Sequence, residues 1–260
     1  MPLVDLHTHI CLSKAENMLG WCKQQGLHTL GISEHVYQLE EIRSIFPEFF
    51  LEGTVYSINE YLAVFEKYKQ SSLELLMGLE LDILPGKTAA MWERVKQLPW
   101  DYVIGSVHEL DHWDIHWEHR FNQWQCHEKW RQYMHQQMEW LKQRQGNILG
   151  HPVRMAVSVT EFPSDLEELI AELAQCARQN GIAIELNARD YRIAPELVDC
   201  LVRQCAKQQC MVSVGSDAHQ PEDICREFVS LRSLLERYGI HYITIWQEQR
   251  PISYLIDQTE

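Results

Sequence analysis

Tyr102-Val103-Ile104-Gly105-Ser106-Val107 is a short apolar, β-prone run that closes on His108. Runs of the same kind recur on either side of it, at 3–6, 29–32, 73–79, 147–149, 182–186 and 211–214. Amphipathic segments at 58–70, 89–98, 128–144, 166–179, 195–207 and 223–238 alternate with them, and a last run at 242–246 reads as a candidate eighth strand. Strands separated by helical crossovers pair in parallel. So many units within 260 residues favour a closed barrel over an open doubly wound sheet. No Gly-x-Gly-x-x-Gly follows any run, which counts against a dinucleotide site. The expected fold is α/β, a single TIM-like barrel domain over residues 1–260.

Composition narrows the function. With 45% apolar and 23% charged residues the chain reads as globular. A formal charge of −14 disfavours sequence-independent nucleic-acid binding. No run reaches the roughly 18–20 apolar residues of a membrane helix, and Met1-Pro2-Leu3-Val4-Asp5 has no basic lead into an apolar stretch. The eight cysteines contain no Cys-x-x-Cys and read as free thiols, so a reducing, cytoplasmic setting is expected. Nothing in the sequence sets the oligomeric state.

The unusual component is histidine, 13 residues. Barrels of this class place their chemistry at the C-terminal ends of the strands. Those ends carry His7 and His9, Glu34-His35, Glu80 with Asp82 beyond it, His108, His151, Glu185 with Asn187, and Asp217 with His219. His7 and His9 are two residues apart and share one side of a strand, and Asp217-Ala218-His219 repeats that spacing. Nitrogen and oxygen donors without thiolates suit zinc, manganese or ferrous iron. One ion takes four to six ligands, so this set suggests at least two. Glu80, with two oxygens, is the natural bridge.

Six segments in order carry a family resemblance. Asp5-Leu6-His7-Thr8-His9, Gly31-Ile32-Ser33-Glu34-His35, Met77-Gly78-Leu79-Glu80-Leu81-Asp82-Ile83-Leu84-Pro85-Gly86, the run from Trp100 to His108, Gly150-His151-Pro152 and Gly215-Ser216-Asp217-Ala218-His219 resemble the polymerase and histidinol phosphatase (PHP) superfamily. The third and fourth look like its histidinol-phosphatase branch. The resemblance implies a distorted (β/α)7 barrel, two or three divalent ions, and hydrolysis of a phosphomonoester by metal-bound hydroxide. It implies that His7, His9, Glu80 and Asp217 hold one ion, and that Glu80 bridges to a second held by His108 and His151. His35 and His219 would contribute to a third. Glu80, Asp217 and His219 are the expected catalytic residues.

The chain departs from that pattern in three places. After the first motif a third-ion ligand is replaced by Cys11-Leu12-Ser13-Lys14-Ala15-Glu16. Glu16 could substitute as a ligand, Lys14 could bring positive charge, or both could be solvated residues at a helix start. Val153 stands where the branch often has aspartate after its His-Pro, so an outer partner of the site is in question. Asn187-Ala188-Arg189-Asp190-Tyr191-Arg192 keeps the branch's asparagine and final arginine but has Asp190 for glycine. Arg192 is the first candidate for a phosphate clamp, because a guanidinium holds two phosphate oxygens at once; Arg189, Arg154 and Asn187 follow.

The stretch at about 109–127 is rich in histidine and tryptophan and follows the fourth strand. It reads either as a substrate lid, with Trp113 or Trp117 packing on an organic group and His112, Asp111 or Asp114 meeting polar atoms, or as a surface excursion pinned by aromatics. The default substrate by resemblance is a small phosphorylated metabolite, L-histidinol phosphate, which would give L-histidinol and phosphate in histidine biosynthesis. The alternatives are a different small phosphoester, a cyclic phosphodiester, or a degenerate barrel that binds metal without catalysis. Amide hydrolysis is disfavoured, because the fourth strand ends on His108 rather than lysine.

Overall fold

The computed structural model describes residues 4–46, 53–117 and 121–256. Seven parallel strands form one sheet in simple sequence order: β1 (Val4–Asp5), β2 (Thr29–His35), β3 (Glu74–Asp82), β4 (Tyr102–Ser106), β5 (Ile148–Leu149), β6 (Ala183–Asn187) and β7 (Val212–Gly215). All seven expected strand runs are present. Every residue of β2, β4 and β6 is buried, as parallel strands covered on both faces require.

The sheet curls until its edges nearly meet. β1 and β7 share no ladder, but just beyond them His9 N donates to Ala218 O at 2.8 Å and Asp217 N to His7 O at 2.8 Å. The Asp5 carboxylate ties the seam from β1, accepting from Ser216 N at 3.0 Å and Cys225 N at 2.9 Å. The architecture is thus a nearly closed barrel of seven strands.

Helices α1 (Ala15–Gln24), α2 (Ile58–Tyr68), α3 (Thr88–Val95), α4 (Gln123–Gln143), α5 (Leu166–Asn180), the short α6 (Ala188–Ile193), α7 (Pro195–Gln208) and α8 (Phe228–Arg237) connect the strands. Their starts follow from local chemistry. Ser57 with Glu60, and Asn122 with Gln125, form reciprocal capping boxes, and Pro195 opens α7 where its missing N–H costs nothing.

The barrel interior is filled from below by Tyr102, whose hydroxyl donates to Leu6 O. Gly31 leaves the room for it, since a Cβ there would lie 2.0 Å from that oxygen. The run at 242–246 is not an eighth barrel strand. It forms β8 (Tyr242–Gln247), paired antiparallel with β9 (Arg250–Leu255). Glu248 and Gln249 between them both have positive φ, 49° and 63°, the geometry of a tight hairpin turn. Ile245 and Trp246 are buried against Val4, Leu6, Leu76 and Tyr102, while Glu248 N and Gln249 N donate to Asp101 at the start of β4. The hairpin therefore closes the end of the barrel remote from the ligand-bearing strand ends. Residues 247–256 dock; Leu3 and the last four residues lie outside the described residues. Among the described residues no helix is long and apolar enough to cross a membrane.

Candidate metal centre

At the other end, side chains from all seven strands converge. Glu80, with no exposed surface, is the hub. Its Oε1 lies 3.2 Å from His7 Nε2, 3.4 Å from His108 Nε2 and 3.1 Å from His151 Nε2. Its Oε2 lies 2.5 Å from His35 Nδ1 and 3.8 Å from His9 Nε2. Asp217 Oδ1 sits 3.3 Å from His9 Nε2 and 3.9 Å from His7 Nε2. Among the described residues, three groups have donor atoms close enough to share an ion: His7, His9 and Asp217; His35, Glu80 and His108; and His9, His35 and His219.

Three of the inner imidazoles have a carboxylate behind them. His7 Nδ1 donates to Glu185 Oε1 at 2.7 Å, and His108 Nδ1 donates to Asp82 Oδ1 at 2.8 Å. His9 Nδ1 faces Glu34 Oε1 at 3.4 Å. A carboxylate behind each ring fixes its tautomer and aims the other nitrogen inward, as in metal sites. Glu185 also accepts from His151 N at 2.7 Å. Gly215 makes that approach possible, because a Cβ there would meet Glu185 Oε1 at 2.2 Å. His151 Nδ1 is buried without a hydrogen-bond partner, and the neighbouring Val153 is an apolar core residue.

The electrostatics divide the rings. Burial opposes charge on His7, yet Glu185 and Glu80 outweigh it and hold the ring well above its ordinary pKa. Against the same penalty, Asp217 and Glu34 raise His9 to about 9, and Glu80 and Asp82 raise His108 to about 10. Burial and the charge on His9 push His35 down, and the same two causes take His219 to about 3. Burial and Arg154 push His151 well down. Glu80 and Asp217 stay ionised despite burial, held low by the surrounding cations.

The residues fit divalent metal. Buried His7 Nε2, His9 Nε2, His35 Nδ1 and Glu80 Oε2 have no hydrogen-bond partner although they crowd together. Leaving such atoms unsatisfied is costly, and a cation is what they jointly lack. Nitrogen and carboxylate donors with no thiolate suit zinc, manganese or ferrous iron.

Beside the cluster lies a cavity of about 260 Å³ lined by His35, Tyr37, His108, Asp114, His116, Arg154, Arg189, Asp217 and His219. Its lining reorders the substrate-binding candidates. Arg192 is exposed on the last turn of α6 and does not line the cavity; Arg189, on the first turn, does, with NH1 3.9 Å from Asp217 Oδ2. The two positions lie about 4.5 Å apart along the helix axis, and Arg189 is at the end next to β6 and the cavity. Asn187 is spent on structure: Oδ1 accepts from Arg154, Arg189 N and Asp190 N, and Nδ2 donates to Glu185. His112 is 95% exposed and leans on Glu109, while Trp113 packs on Phe121 and donates to Trp117 O. The 109–127 stretch reaches the cavity instead through Asp114 and His116, whose Nδ1 donates to Asp114 Oδ1 at 3.0 Å. A two-strand turn, Glu109–Leu110 with Trp113–Asp114, aims them there. His119, in the same stretch, lies outside the described residues.

Glu16 lies away from the cluster. It sits on the first turn of α1, largely exposed, and pairs with Lys67 at 2.5 Å. Lys14 is exposed as well, and both residues stand at the start of α1. Tyr37, stacked on His35 with centroids 4.6 Å apart, was not singled out in the sequence, and no local signal marks it.

Residues 5–189 match the PHP domain family. That span is well over half the chain, and the chain belongs to this family. Over 198 residues, 71% of this chain and 74% of its relative, it is 26% identical to a probable histidinol-phosphatase of Deinococcus radiodurans. Its fold matches the crystal structure of histidinol phosphate phosphatase from Lactococcus lactis, solved with zinc, L-histidinol and phosphate. The TM-score is 0.76 and the identity 17%, over 96% of this chain and 99% of that one. A chain in archaeal ribonuclease P with mature tRNA shares the fold more distantly, with a TM-score of 0.55 and 13% identity over 91% and 82% of the two chains.

Proposed function

We propose that residues 1–260 form one catalytic barrel domain, a metal-dependent phosphomonoesterase with L-histidinol phosphate as its default substrate, serving histidine biosynthesis. The convergence of six imidazoles on Glu80 and Asp217 beside an arginine-lined cavity is the observation that carries the reading. The histidinol-phosphatase names of the Deinococcus relative and the Lactococcus neighbour support the substrate.

His7, His9, His35, His108, His151, His219, Glu80 and Asp217 would hold two or three divalent ions of zinc, manganese or iron. When bound, such ions supply Lewis-acid charge and make water a nucleophile near neutral pH. Glu185, Asp82 and Glu34 keep His7, His108 and His9 aimed inward. Arg189, half-exposed at the cavity, is placed to hold two phosphate oxygens. Asp114 and His116 offer a carboxylate and an imidazole to the organic part of the ester.

The test is a panel of small phosphate esters, including L-histidinol phosphate and a cyclic phosphodiester, assayed for phosphate release with added manganese or zinc. Turnover fastest on L-histidinol phosphate is expected. Faster turnover of another ester would move the substrate, and no release from any ester by metal-loaded protein would overturn the hydrolase reading.

A further inference from the structure

Arg154 is 1% exposed, an unusual place for a guanidinium. It sits on the turn Arg154–Val157 after β5, and its partners come from the ends of β6 and β7. Nε donates to Asp190 Oδ1 at 2.5 Å, NH1 to Asp217 Oδ2 at 2.7 Å and NH2 to Asn187 Oδ1 at 2.9 Å. Asp190 is itself 1% exposed and stands where the sequence departs from the family's glycine. Arg154, the neighbour of the departure at Val153, thus pairs with the departure at Asp190.

We propose that Arg154 and Asp190 form a neutral buried unit that positions Asp217 as a metal ligand. This rests on the metal-dependent reading above. Asp217 has a φ of 58°, in the left-handed region, and its carboxylate is free to rotate about its side-chain bonds unless a partner holds it. Arg154 supplies that hold at Oδ2 and leaves Oδ1 facing His7 and His9. A lone guanidinium there would also cancel the charge that attracts metal. Asp190 matches the charge of Arg154, so Asp217 keeps its own. Buried charges require such matching, and Asn187 fixes the third side of the fork. Arg154 is thus a positioning residue, whereas the competing role is a direct phosphate clamp, since it also lines the cavity.

The two roles separate by experiment. R154M/D190N removes both charges of the pair, and D190N leaves Arg154 uncompensated with almost no change of shape. Manganese binding by calorimetry, metal per chain by elemental analysis, and inorganic phosphate binding to the manganese-loaded protein are measured, with circular dichroism confirming the fold. Both variants should bind manganese about 10–100-fold more weakly, the usual loss on removing a ligand's outer partner. Phosphate affinity at full metal loading should stay within about threefold, an energy difference under about 0.7 kcal/mol.

A folded double variant with manganese affinity within about threefold of wild type would overturn the proposal. So would a more than about tenfold loss of phosphate affinity with metal binding intact, which assigns the clamp role. If the double variant does not fold, the same thresholds apply to D190N. Wild-type protein that binds manganese but releases phosphate from no ester would sink the hydrolase reading and leave this test standing. Wild type that binds no divalent metal would sink both.

Discussion

Glu80 touches imidazoles from the end of β2 and from the segments just beyond β1, β4 and β5, so its charge holds the cluster together. E80Q keeps the shape and removes the charge. Metal affinity should fall by more than about tenfold and phosphate release by at least about a hundredfold, read by elemental analysis and turnover. E185Q tests the outer layer: it weakens the hold on His7 Nδ1, and about a 10–100-fold loss of metal affinity is expected by titration. At this scale the residues of the inner cluster were legible because strand ends and two-residue spacing place them without knowledge of the fold. Their outer partners were not. The contact between His7 and Glu185 spans 178 residues, and no local pattern pairs them. Motif position ranks Arg192 first among the arginines, but Arg189 is on the first turn of α6, next to β6, and it lines the cavity. Glu16 matched a ligand's chemistry, but the first turn of α1 points it at Lys67.

Among elements, the seven barrel strands were readable as apolar runs because a strand buried on both faces has no polar alternation to obscure it. The same property misassigned β8. Its apolar residues are buried, but against the closed end of the barrel rather than within its ladder. The turn that reverses the chain uses Glu248 and Gln249, neither of them the usual hairpin residue, so nothing announced a hairpin. Trp246, 2% exposed, anchors that closure. W246A should destabilise the protein by about 3–5 kcal/mol in denaturant unfolding, while manganese binding to the folded fraction stays unchanged. The 109–127 stretch was legible as a loop over the barrel mouth, but which side chains turn inward depends on the positive φ of Asp111 and His112, 51° and 64°.

For the molecule as a whole, protons and metal compete for one cluster. In metal-free protein His9 and His108 titrate at about 9 and about 10 against an ordinary 6.5, so the folded chain keeps protons that the unfolded chain releases. The resulting stabilisation is complete below about pH 6.5 and is lost as pH rises through 9–10. The melting temperature of chelator-treated protein should therefore carry a falling contribution between pH 7 and about 10, which added manganese offsets. Metal must displace the same protons. Calorimetry at pH 7.5 in buffers of different ionisation heat should show proton release, with affinity rising with pH over about 7–10. The seam that Asp5 ties also has a bearing on synthesis. Its hydrogen bond to Ser216 joins residues 211 apart, and His7 and His9 meet Asp217 only across that seam. During translation His7 and His9 leave the ribosome roughly 200 residues ahead of Asp217. A nascent chain halted before residue 217 holds only part of the cluster, so the cluster assembles only after β7 has been made.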